Sequence, residues 1–150
     1  MTLPAAASPR QIQVYGVDTM LFVYHFEGHS QFGPWAARLL QAAEHDRLRL
    51  VTSVLTLMEV LVVPKRERQE QLCQRYRELF ASFPQLTVLA IDQSIAEVAS
   101  DLRATYTLRT PDALHLATAI VAGADAFVTE DRRLSNISAI RVIGISQAVN

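Results

Sequence analysis

Segments that read as short strands alternate with segments that read as helices along the whole chain, and this rhythm limits the fold more than any other feature. Strand, helix, strand is the unit of a parallel sheet covered by helices on both faces, with ligands gathering beyond the carboxyl ends of the strands. Period-two or continuous apolar runs mark five expected strands, at 12–18 (IQVYGVD), 47–53 (RLRLVTS), 86–91 (LTVLAI), 126–129 (AFVT) and 140–145 (IRVIGI). Between them TMLFVYHF (19–26) reads as a short helix or turn, and GPWAARLLQAAEH (33–45) as a helix. Thr52 or Ser53 is placed to cap VLTLMEVLVV (54–63), which Pro64 is expected to close. An amphipathic helix is expected over 65–83, and another over 93–106, capped by Asp92. The last expected helix has Thr110 as cap, Pro111 in the first turn and Gly123 after its end.

The chain has 150 residues, half of them apolar and 19% charged, which suits one domain with a substantial core and argues against disorder. Residues 1–10 (MTLPAAASPR) read as a flexible N-terminal tail without the character of a signal peptide, and 11–150 as a single domain. The formal net charge of −1 leaves no global polycation to attract nucleic acid, although a local basic patch is compatible with it. Cys73 is the sole cysteine, which excludes an internal disulfide and any thiolate metal cage and fits a reducing, cytoplasmic setting. No apolar run reaches membrane-spanning length.

Four carboxylates stand out against this frame. Asp18 leaves the first expected strand and Asp131 follows the fourth, so a parallel sheet sends both to the same edge. Asp112 opens the helix in RTPDALHLATA, where an acid also complements the helix dipole. Glu59 lies among Met58, Val60, Leu61, Val62 and Val63, surroundings in which an ionised acid needs a partner, either an arginine or a cation. Grouped together, four hard oxygen donors suit Mg2+ or Mn2+, which acidifies a bound water and stabilises charge during phosphodiester cleavage. Two like charges about 4 Å apart repel by about 4 kcal/mol at an effective dielectric near 20. Asp112→Asn or Asp131→Asn is therefore expected to stabilise the metal-free fold.

VYGVDTMLFVY, the Glu59 helix, TPDALHLATAIVAGADAFVTEDRRL and IRVIGI together resemble the PIN-domain nucleases, most of all the VapC-type toxins of toxin–antitoxin pairs. The resemblance runs from about Val14 to Ile145. It implies a three-layer α/β/α domain with a central, mainly parallel sheet of about five strands. It further implies a Mg2+- or Mn2+-dependent endoribonuclease, usually a homodimer silenced by a cognate antitoxin protein. Carried over, Asp18, Glu59, Asp112 and Asp131 form the catalytic metal site, and Thr129 matches a hydroxyl that helps shape it. Glu130 is a departure, where the family often has a neutral or basic residue, and it adds a negative charge beside the expected site.

Arg109, Arg132 and Arg133 lie beside these acids in sequence and are candidates for RNA phosphate contacts, with surface solvation as the plainer reading. His115 reads as a packing residue on an apolar helix, Asp125 as a turn residue, and Thr19 as a holder of either a water or the turn. Other enzyme classes fit less well. A phosphoryl-accepting receiver domain needs a lysine near the last strand, yet the only lysine is Lys65, and an aspartate-nucleophile phosphatase wants an acid where Met20 stands. A catalytically silent module that binds RNA or protein remains the alternative to the nuclease.

Overall fold

A computed structural model describes residues 11–150, and the expected tail at 1–10 lies outside them. Five strands, β1 (Gln13–Val17), β2 (Leu48–Ser53), β3 (Leu86–Leu89), β4 (Ala126–Val128) and β5 (Val142–Ile143), form one sheet in the order β3-β2-β1-β4-β5. Every pairing is parallel. The helices are α1 (Thr19–Phe26), α2 (Gly33–Glu44), α3 (Val54–Arg66), α4 (Glu70–Ser82), α5 (Gln93–Thr105), α6 (Thr110–Val121) and the short α7 (Ile145–Ala148). A 3-10 turn spans Arg132–Leu134.

Alternation along the strands builds two cores. Tyr15, Val17, Leu50 and Val128 face Leu21, Phe22, Leu39 and Tyr76 of α1, α2 and α4. Phe127 faces the other way, onto Ile95, Leu102, Ala113 and Leu116 of α5 and α6. The result is the expected three-layer α/β/α arrangement. Gly16 allows α6 to lie directly on β1, because a Cβ there would stand 2.3 Å from the Cβ of Ala119.

The chain runs from β1 outward to β3 and then returns to β4 on the other side of β1. The boundary between β1 and β4 is therefore a topological switch point, where helices leave in opposite directions and open a crevice beyond the strand ends. Register pairs Val17 with Val128, so Asp18 and Thr129 emerge side by side into that crevice.

Some boundaries differ from expectation. Pro64 does not close α3 but lies inside it, in the last turn, where a missing N–H costs only one intrahelical bond. The helix ends instead at Arg66, and Arg68, with a φ of 56°, reverses the chain two residues further on. The helix expected over 65–83 is accordingly two pieces: Lys65 and Arg66 finish α3, and α4 starts at Glu70. Ser53 caps α3 through Leu55 N, and Asp92 caps α5 through Ile95 N. Thr110 does not cap α6; it lies inside the first turn and accepts from Arg103 Nη1, while Arg109 takes the extended cap position.

Candidate active site

All four carboxylates line one cleft of about 840 Å3, together with Thr19, Arg109, His115, Glu130 and Arg133. Asp18 is placed by the end of β1 and also caps α1, its Oδ1 accepting from Met20 N at 3.2 Å. Its other oxygen accepts from Thr129 Oγ1 at 2.6 Å, and Thr129 Oγ1 accepts in turn from Asp131 N at 3.1 Å. One buried hydroxyl thus ties the exit of β1 to the loop after β4. Burial pushes the Asp18 carboxyl above the usual range, against the Thr129 bond and the His115 ring, which pull it down.

Glu59 reaches the cleft from α3 with about a third of its side chain exposed, since Met58 and Val62 point into solvent and do not enclose it. Its partner is neither an arginine nor simple packing. His115 Nε2 lies 2.6 Å from Glu59 Oε1, and Thr19 Oγ1 donates to the same oxygen at 2.9 Å. The His115 bond is the chief cause that holds the Glu59 carboxyl below its ordinary range. His115 is therefore a polar contact of the cleft and not only a packing side chain. The available signal was its position one turn after Asp112, which puts both on one face of α6.

The remaining acids are paired. Arg109 Nε donates to Asp112 Oδ2 at 3.0 Å. Arg133 grips both oxygens of Asp131, Nε to Oδ1 at 3.0 Å and Nη2 to Oδ2 at 2.6 Å, which holds that carboxyl below its ordinary range. The expected mutual repulsion of four bare acids is thus offset by two guanidinium groups. With the side chains so arranged, no three acidic, histidine or cysteine groups among the described residues form a ready metal cage. Arg132 does not line the cleft.

Glu130 lines the same cleft, so its charge lies beside the other acids. Its Oε1 accepts from Ile145 N at 2.6 Å and steadies the start of α7. Asp125 is structural, as its place before β4 suggests: its carboxylate accepts from Val14 N at 2.8 Å, and its own N–H donates to Val14 O at 2.7 Å. Tyr24 was not singled out by the sequence. It lines the same cleft, and burial together with the charges of Asp18, Glu130 and Asp131 pushes its phenol up.

The donor set fits a hard divalent cation. It offers carboxylate oxygens and no thiolate, and Asp18 is desolvated with no basic side chain hydrogen-bonded to it among the described residues.

Fold and site together define a class: a parallel α/β/α domain with acidic side chains gathered at its switch point. Within that class, the PIN domain model matches residues 15–140, and the chain belongs to the PIN domain family. Its fold is that of the VapC proteins. A toxin–antitoxin complex from Klebsiella pneumoniae is 27% identical over 89% of this chain and 97% of that one, with a TM-score of 0.66. VapBC2 from Rickettsia felis, bound to a DNA fragment from its promoter, is 17% identical over 88% of this chain and 98% of that one, with a TM-score of 0.71. VapC20 from Mycobacterium tuberculosis, a sarcin–ricin-loop-cleaving toxin, is 16% identical over 86% and 99%, with a TM-score of 0.64. No curated protein matches the chain. Among the described residues no helix is long and apolar enough to cross a membrane.

Proposed function

We propose that this chain is a metal-dependent endoribonuclease and the toxin of a toxin–antitoxin pair. The observation that carries the reading is the meeting of Asp18, Glu59, Asp112 and Asp131 around one cleft at the β1/β4 switch point. These four would hold Mg2+ or Mn2+, with Thr129 fixing Asp18. When bound, the ion supplies an acidified water and a positive centre for charge that develops on the phosphodiester. Asp18, Glu59, Asp112 and Asp131 orient the donor oxygens from four separate elements, and α6 brings Asp112 in on a helix N-terminus that also favours anions. Arg109 and Arg133 lie beside the acids and are suited to bidentate phosphate contacts once released from them. Arg132, outside the cleft, serves only RNA that extends beyond it.

The fold shared with toxin–antitoxin structures, and the 27% identity to one of them, support an antitoxin as partner. The cleft continues from the acids along Met20, Val23, Val63 and Leu72, an apolar arm suited to a partner helix. A homodimer in the cytoplasm completes the reading, with 11–150 as its one domain.

Purified protein should cleave single-stranded or loop RNA with Mg2+ or Mn2+ and stop in EDTA. Asp18→Asn and Asp112→Asn should each abolish cleavage while leaving the circular dichroism unchanged. Undiminished cleavage in EDTA by homogeneous protein would refute the reading. A growth arrest on expression, relieved by a small protein encoded beside it, tests the toxin role separately.

A further inference from the structure

We propose that His115 and Thr19 are positioning residues for Glu59, holding one of its carboxylate oxygens so that the other is left for a cation. The proposal rests on the metal-dependent reading and adds a role for two residues outside its four acids. Both donors converge on Oε1, His115 Nε2 at 2.6 Å and Thr19 Oγ1 at 2.9 Å. Oε2 receives no hydrogen bond within the described residues.

The asymmetry has a physical consequence. A glutamate on a helix has three side-chain torsions and would otherwise sample many rotamers over an open cleft. Two donors on a single oxygen fix the carboxylate plane and leave the second oxygen's lone pairs unused. The donors are well founded. His115 is only 7% exposed, on α6 one turn beyond Asp112, and Thr19 opens α1 directly after Asp18. The elements that carry Asp18 and Asp112 therefore also orient Glu59 from α3. Ligands held in this way bind an ion more tightly, because less freedom is lost on binding, and removal of such supporting bonds typically weakens metal affinity about 10–100-fold.

The test is Mn2+ binding by isothermal calorimetry on purified protein without RNA, with cleavage measured against Mn2+ concentration as a second readout. His115→Leu and Thr19→Val should each weaken Mn2+ binding by roughly tenfold or more. His115→Gln should recover most of it, because the glutamine Nε2 can donate from nearly the position of the imidazole Nε2. Cleavage by His115→Leu should need more Mn2+ yet approach the wild-type rate at saturation. If His115→Leu does not fold, Thr19→Val carries the test, since Thr19 is less buried. Wild-type affinity in both donor-less variants, or a His115→Gln variant as weak as His115→Leu, would overturn the positioning role alone. A wild type that binds no Mn2+ would overturn the metal reading and this proposal with it.

Discussion

Asp131 illustrates how a single pair reverses an electrostatic expectation. Read from sequence, it was one of four mutually repelling acids, so its neutralisation promised a more stable fold. In the structure Arg133 holds both its oxygens. Asp131→Asn should then lose a little stability, at most about 1 kcal/mol, because the arginine is 63% exposed and such pairs are screened. The folded carboxyl lies below its ordinary value, chiefly through the Arg133 bond. Its stabilisation is therefore present above the unfolded value of about 3.9 and disappears as the pH falls through the folded one. Thermal melts of wild type and variant should differ at pH 7 and converge as the pH falls below the folded value. A variant more stable than wild type at pH 7 would restore the repulsion account. The meeting of the acids was legible because a parallel sheet sends Asp18 and Asp131 to one edge and because an acid among apolar neighbours, such as Glu59, needs a polar partner. Their partners were not, since Arg109 and Arg133 read equally well as solvated surface, and the bond from His115 to Glu59 spans 56 positions.

Elements were legible wherever local chemistry dictates them. Asp92 caps α5 as the sequence suggests, and Ser53, rather than the alternative Thr52, caps α3, because a short acceptor before an apolar run satisfies a free N–H. Ser53→Ala should cost about 1 kcal/mol, measured by urea unfolding with an unchanged slope. Proline misled, because Pro64 in a final turn interrupts only a bond near the helix end. The short turn at Arg132–Leu134 and the brief α7 lack the length to leave a periodic signal. Gly16 looked unremarkable in sequence, yet it sets the distance between β1 and α6. Gly16→Ala would push a methyl to 2.3 Å from Ala119 Cβ, where neither backbone can yield easily. Overpacking of this kind should destabilise by about 2 kcal/mol or more, roughly 4–8 °C in the melting midpoint for a chain of this size. Melting unchanged from wild type would mean that α6 is not seated as described. The pairing of Gly16 with Ala119 is tertiary, and no window of sequence contains it.

At the scale of the whole molecule, strand order makes the site. The alternation of strands and helices gave the layers, but only the order β3-β2-β1-β4-β5 puts Asp18 and Asp131 on adjacent strand exits. The same topology brings α3 and α6 to one cleft, so acids distant in sequence share one surface. Two of those acids are bonded to arginines, and in the proposed function a divalent cation takes the guanidiniums' place. A crystal structure grown with Mn2+ and phased on its anomalous signal tests this most directly. The expected result is an anomalous peak bound by Asp18 and at least two of Glu59, Asp112 and Asp131, with Arg109 and Arg133 turned away from their acids. A saturating Mn2+ soak that leaves no peak in the cleft, with both arginine pairs intact, would contradict it.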